Sequence, residues 1–238
     1  MNERNGKIAV VTGGNRGIGK AIAIAFASEG CRVAISGREE TALEKTADEL
    51  RGRFKVDVLA IQADARKAND AERMAEWVER ELGPADVLVN NAGVGLFSDV
   101  ARFAEDEFRA VFETNLFGVF YTTKAFLPGM IRHGGGHVIN IGSLAGKNNF
   151  AGGSAYCASK HALISFAECL MLEVRHQNVK VTTICPGSVA TDFSPESKGK
   201  DWALTGEDVA QAVIDVWKTS SRSLLSLVEM RPLKPKKS

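Results

Sequence analysis

Short aliphatic runs alternate with longer stretches of helical spacing from one end of the chain to the other. Residues 7–12 (KIAVVT) form an apolar run that stops at glycine, and residues 17–29 then have helical composition and apolar spacing. A second strand is expected at 32–36 (RVAIS), followed by a charged amphipathic helix at 39–50. A third strand at 56–62 leads to a helix at 70–82, with Met74, Trp77 and Val78 on one face. The series continues with a strand at 86–90 (DVLVN), a long helix at 106–131, a strand at 138–141 and a second long helix at 154–176. It closes with a strand at 180–185, a helix at 207–218 and a strand at 224–229.

Strand, helix and strand repeated in this way predict a parallel sheet with helices on both faces. Strands covered on both sides are continuously apolar, as AVV, DVLV and HVINI are here. No linker, repeat or low-complexity tract interrupts the alternation, so residues 1–238 read as a single doubly wound α/β domain of about seven strands. The exception is the basic tail 231–238 (RPLKPKKS), expected to be a frayed terminus too short for a nucleic-acid footprint.

Composition narrows the function classes. Lys and Arg total 30 against 29 Asp and Glu, a net charge of +1 over 238 residues. That balance argues against nucleic-acid and anionic-membrane partners, which need a basic field. Glycine, at 23 residues, exceeds the usual share of about 7%. The four cysteines, Cys31, Cys157, Cys169 and Cys185, are scattered in apolar stretches with no metal spacing, and are expected to be buried free thiols in a reducing compartment. His133 and His137, placed in a loop and separated by three glycines, make no helical metal pair. No basic, then apolar leader opens the chain and no run approaches about 18 residues, so a soluble, cytoplasmic protein without a bound metal is expected.

Residues 12–19 (TGGNRGIG) follow the first strand directly and open the first helix. Glycines there let backbone approach a pyrophosphate, whose charge meets the amides of the helix N-terminus. A bare packing turn is the plainer alternative. The P-loop pattern G-x-x-x-x-G-K also fits from Gly14, but Ala21 stands where Ser or Thr would hold magnesium, and the fourth strand ends in Asn90 and Asn91 rather than Asp. A nucleotide triphosphatase is therefore set aside. Tyr156 and Lys160 lie one helical turn apart on a shared face. A cation so placed would favour the phenolate and lower the tyrosine pKa, making the phenol a general acid for a carbonyl or a base for an alcohol. Ser143, after the fifth strand, could hold the substrate oxygen, whereas an isolated Tyr/Lys pair would be only a surface contact.

With these elements together, the chain resembles the short-chain dehydrogenase/reductase family over nearly its whole length. The turn with Gly13, Gly17 and Gly19 is similar to that family's TGxxxGxG, and 90–93 (NNAG) to its motif after the fourth strand. Asn115, the set Ser143, Tyr156 and Lys160, and Pro186–Gly187 match in order. The resemblance implies a Rossmann-type sheet and an NAD(P)-dependent oxidoreductase. Tyr156 would donate the proton, Ser143 polarise the carbonyl, and Lys160 lower the Tyr156 pKa and hold the nicotinamide ribose. Asn115 would hold a water of the proton relay, a helix-kink residue being the lesser alternative. Asn15, Arg16, Ile18, Asn91, Ala92 and Gly93 would join the glycines in binding the dinucleotide, with Asp64 and Ala65 at the adenine. Pro186, Gly187, Val189 and Thr191 would meet the carboxamide or diphosphate, and Asn90 either the cofactor or only the neighbouring strands.

Gly37 stands where an NAD-selective acid would be, followed by Arg38, while Arg16 lies inside the turn. Two guanidiniums suit a 2′-phosphate, so NADP(H) is expected in preference to NAD(H). The lid segment 188–206 is short, with Phe193, Trp202 and Leu204 its large apolar residues, and the loops bearing Leu96, Phe97 and Phe150 complete the pocket without naming a substrate. A small-molecule carbonyl or alcohol is expected, most specifically a 3-oxoacyl thioester. The alternative is a catalytically silent NADP(H)-binding regulatory or scaffold protein. The two long helices could pair in a homodimer or homotetramer, although the C-terminus departs from the family's usual ending.

Overall fold

The computed structural model describes residues 6–193 and 199–235. Seven parallel strands form one sheet in the order β3-β2-β1-β4-β5-β6-β7. They are β1 (Ile8–Thr12), β2 (Arg32–Gly37), β3 (Val58–Gln62), β4 (Val87–Asn90), β5 (Gly136–Ile141), β6 (Val179–Pro186) and β7 (Leu227–Met230). Between them run α1 (Gly17–Ser28), α2 (Glu40–Phe54), α3 (Ala68–Glu81), α4 (Glu105–Phe112), α5 (Gly118–Arg132), α6 (Ser154–Val174) and α7 (Gly206–Trp217).

The period of two along each strand sorts side chains between two cores. Ala9 and Val11 of β1 face α1, α2 and α7, where Ile22, Phe26, Leu43, Leu50 and Val213 close one layer. Ile8 and Val10 face the opposite layer of α3, α5 and α6, filled by Met74, Val78, Phe126, Met130 and Leu170. All five β1 residues are buried, as continuous apolar runs require when both faces are covered. This is the doubly wound, Rossmann-type architecture expected from the alternation.

Several details differ from the sequence reading. The long helix expected at 106–131 is broken by a π-helical turn at Glu113–Phe117, where the amide of Gly118 reaches back to Glu113 O and Asn115 is carried inward. Trp77 does not share the buried face of Met74 and Val78 but sits at its edge, half-exposed. Cys31, Cys157 and Cys185 are buried thiols, whereas Cys169 is exposed, because it lies on the outer side of α6 away from the sheet. The segment 188–206 begins and ends as a hydrogen-bonded stem, Ala190 N to Leu204 O at 2.7 Å and Leu204 N to Ser188 O at 3.0 Å. Residues 194–198 of that segment lie outside the described residues. Among the described residues no helix is long and apolar enough to cross a membrane.

His137 corrects another expectation: it is not a loop residue but part of β5, with only 4% of its surface exposed. Thr182 donates its hydroxyl proton to Leu225 O at 2.7 Å, so it must accept from His137 Nε2, 2.8 Å away. Burial, with a smaller contribution from the Lys180 charge, pushes the imidazole pKa down to about 3. Below pH 6.5 the unfolded chain binds a proton here that the folded chain refuses. Stability is therefore full above about 6.5 and falls toward pH 3, by about 1.4 kcal/mol per pH unit from this group. His137→Gln should remove that component, measured as urea unfolding of both proteins at pH 7 and pH 5. Identical pH dependence would contradict the assignment.

Candidate active site

One cavity of about 750 Å³ runs along the carboxyl edge of the sheet. It straddles β1 and β4, where the strand order reverses and where loops on either side of the sheet diverge to leave a crevice.

At one end stands the glycine turn. Thr12 Oγ1 accepts the amides of Asn91 and Ala92, both at 3.0 Å, while Asn91 Nδ2 donates to Thr12 O at 2.9 Å and Gly13 O at 3.2 Å. The loop after β4 is thereby clamped to the loop after β1. Gly13 has φ +66°, and a Cβ on Gly19 would lie 2.1 Å from Gly13 O, so the close crossing of turn and helix excludes a side chain. Helix α1 begins after Arg16 without a side-chain cap and without an acid in its first turn. Its leading amides and positive dipole end are thus available to an anion. Gly13, Asn15, Arg16, Gly17, Ile18 and Gly19 all line the cavity there, as do Asn91, Ala92 and Gly93.

Arg38 enters from the end of β2, beside Gly37, and Asp64 and Ala65 follow β3. Asp64 is gripped by Arg66, with Nε at 3.0 and 3.2 Å and Nη2 at 2.6 Å from its oxygens. That hydrogen bonding holds the Asp64 carboxyl below the usual range. Arg66 also lines the cavity and was not singled out from sequence, where nothing distinguishes it from other surface arginines.

The other end of the cavity is built on α6. Tyr156 and Lys160 project from successive turns and are both buried, the ammonium 5.8 Å from the centre of the phenol ring. Lys160 Nζ donates to Ile141 O at 2.9 Å. Among the described residues no carboxylate pairs with it, so an ammonium with three donors keeps two for other acceptors. Burial lowers the Lys160 pKa to about 8. The tyrosine does not behave as expected from the Tyr/Lys spacing. Burial pushes its hydroxyl up to about 12, the neighbouring Ser143 hydroxyl offsets this only in part, and Lys160 adds no downward pull. The reason is geometric: the ammonium is turned to the end of β5, and desolvation outweighs a charge at that distance.

Ser143 caps a short 3-10 turn after β5, its Oγ accepting the Ala145 amide at 3.1 Å, and faces the cavity. Asn115 does not line the cavity. Its side chain bonds both the amide and the carbonyl of Val94, each at 2.9 Å, and Ser159 Oγ at 3.1 Å, bracing the loop after β4 against α6 beside Gly93 and Lys160. Asn90 is likewise turned away: it bonds Thr122, Thr123 and Asn140 in the interior. Pro186, Gly187, Val189 and Thr191 line the cavity, Thr191 directly opposite Gly17.

The start of the tail lies against the cavity. Gly187 N donates to Met230 O at 2.8 Å, extending the β6–β7 ladder, and Pro232 packs over Gly187 so that Arg231, Pro232 and Pro235 form part of the cavity wall. Glu229 sits between Lys147 and Arg231 and ties the start of this wall to the loop after Ser143. The pairing follows from tertiary register and has no local signal in RPLKP. Residues 236–238 lie outside the described residues.

Fold, turn and buried tyrosine together describe a dinucleotide-dependent α/β oxidoreductase. A model of the short chain dehydrogenase family matches residues 7–201. The chain belongs to that family. It is 36% identical to an NADP-dependent 3-hydroxy acid dehydrogenase of Salmonella typhi, covering 95% of each chain. It is also 36% identical to a mouse 3-oxoacyl-[acyl-carrier-protein] reductase, covering 81% of this chain and 79% of that one. Among solved structures, an alcohol dehydrogenase from Thermococcus sibiricus complexed with 5-hydroxy-NADP superposes with a TM-score of 0.91 at 32% identity, covering 98% of this chain and 99% of the other.

Proposed function

We propose that this protein is an NADP(H)-dependent oxidoreductase that interconverts a carbonyl and a secondary alcohol. The observation that carries the reading is the buried Tyr156, with Ser143 beside it and Lys160 one helical turn away, at the opposite end of the same cavity from the uncapped α1 amides. When bound, the cofactor supplies a hydride to the carbonyl carbon. Ser143 donates a hydrogen bond to the carbonyl oxygen, and Tyr156 gives that oxygen its proton as charge builds there. A phenol with a pKa near 12 stays protonated at neutral pH and yields only to a developing alkoxide. Lys160 offers its two remaining donors to the ribose hydroxyls and holds positive charge beside the phenolate that Tyr156 becomes. Asn115 positions the Val94 loop against this pair.

Loss of the Lys160 proton above pH 8 removes that charge. Carbonyl reduction should therefore hold steady below about pH 8 and decline above it, read as kcat/KM against pH. Tyr156→Phe should cut kcat by about 10²-fold or more, with NADPH binding retained. A fully active variant would contradict the assignment, and a wild-type protein that binds NADPH yet reduces nothing would favour the silent binding protein.

Arg16 and Arg38 support NADP(H) over NAD(H), since both face the cavity and Gly37, not an acid, ends β2, the nearest carboxylate there being Glu39 beyond Arg38. The relatives named for NADP support it too. A charge-assisted bond contributes about 1.5–3 kcal/mol, so Arg38→Gln should narrow the NADPH preference in kcat/KM by about tenfold or more. Preference for NADH in the wild type would contradict the assignment.

A 3-oxoacyl thioester draws support from the mouse relative, although the side chains around Tyr156 argue for a flatter substrate. Assembly as a homodimer or homotetramer is supported by exposed Leu172 on α6, Phe120 on α5 and Phe117 in the π turn before it. Large apolar side chains left in water on these elements are costly. Light scattering should give a dimeric or larger mass, and Phe120→Glu should shift it toward monomer; a monomeric wild type would refute this.

A further inference from the structure

Tyr156 is flanked by phenylalanines delivered from separate loops. Phe97, from the loop after β4, meets the Tyr156 ring edge-on, with centroids 5.5 Å apart and planes at 71°. Phe193, beyond β6, approaches the same ring at 5.9 Å. Phe150, from the loop after Ser143, reaches Phe97 at 5.8 Å. All three line the cavity that holds Ser143 and Lys160, and Phe97, Phe150 and Phe193 leave 53%, 49% and 43% of their surfaces uncovered. Bare backbone seats them: a Cβ on Gly95 would stand 2.9 Å from Phe193 and 3.0 Å from Phe97, and one on Gly153 would stand 2.6 Å from Phe150. Rings packed this closely at Gly95 and Gly153, and partly uncovered where they line the cavity, form a wall for an apolar group. Their mutual tilts are those in which a further ring, at roughly 4.5–7 Å, is also favourable.

We infer that the carbonyl compound taken up at Tyr156 carries a flat aromatic group on its reacting carbon, as in an aryl ketone, and that Phe97, Phe150 and Phe193 select for it. This rests on the reading of the site as a carbonyl reductase. The carbonyl carbon gains the hydride of NADPH, the π electron pair of the C=O bond moves to oxygen, and that oxygen takes the Tyr156 proton. The products are an aryl carbinol and NADP⁺, and Tyr156 regains its proton from solvent.

The test compares acetophenone, cyclohexyl methyl ketone and acetoacetyl-coenzyme A as substrates of the full chain with NADPH. Acetophenone and the cyclohexyl ketone are close in size but differ in flatness. The wild type should favour acetophenone over the cyclohexyl ketone by about tenfold in kcat/KM. Phe97→Leu and Phe150→Leu, which keep apolar bulk, should each lower that ratio several-fold, chiefly through the acetophenone KM. Because a ratio within one protein is read, partial loss of folded enzyme does not alter it. A wild-type preference for the cyclohexyl ketone or the thioester, or a ratio unmoved by both substitutions, overturns the inference while leaving the carbonyl reductase intact. Inertness toward all three overturns both.

Discussion

Strands that all run in one direction oblige every strand-to-helix loop to leave from the same edge of the sheet, and the candidate site is built on that edge. The register carries β1, β4, β5 and β6 side by side, so Thr12, Asn91, Ser143 and Pro186 arrive next to one another although they are far apart in the chain. The constraint is covalent and steric rather than chemical: parallel strands need long crossovers, and covering both faces makes the crossovers helices. The apolar layers on either side hold the edge rigid, so the loops can be short and still be accurately placed.

Within that frame the costly element is charge taken out of water. Lys160 is 6% exposed, has a backbone carbonyl as partner, and gives up part of its proton affinity as a result. Tyr156 pays in the opposite sense, its neutral form stabilised by the same burial. A neutral phenol and a barely retained ammonium, one turn apart on α6, make a pair in which a proton leaves the first only when charge appears in front of it. Asn115 and Ser159, buried behind the pair, keep the π turn, the Val94 loop and α6 in one hydrogen-bonded unit.

What could be read from the chain was whatever depends on local spacing. The alternation of apolar runs and amphipathic stretches predicts seven strands, and the central ones, β1, β4 and β5, are legible because burial on both faces leaves a continuous apolar signature, whereas the edge strand β7 is half-exposed. The G-x-x-x-G-x-G turn and the Tyr156/Lys160 pair are legible for the same reason, their partners being within a few residues. His137 was misjudged because three glycines beside it suggest a loop, yet Gly136 opens β5. Cys169 was misjudged because an apolar neighbourhood in sequence says nothing about which side of α6 meets the sheet. The tail and the phenylalanine wall depend on loops that meet only in three dimensions: Pro232 over Gly187, and Phe193 against Gly95. The Tyr156 shift belongs to this group as well, since desolvation is set by the whole surrounding fold.

The central claim is that the cavity brings a hydride donor and the Tyr156 proton to opposite ends of one carbonyl bond. The most direct measurement is label transfer: acetophenone is incubated with the full chain and NADPH deuterated at the transferring position of nicotinamide C4, and the alcohol is analysed by mass spectrometry. One deuterium on the carbinol carbon, absent from the product mixture when Tyr156→Phe replaces the wild type, is the result predicted. An alcohol whose carbinol hydrogen comes from solvent, or label transfer as fast in Tyr156→Phe as in the wild type, would contradict it.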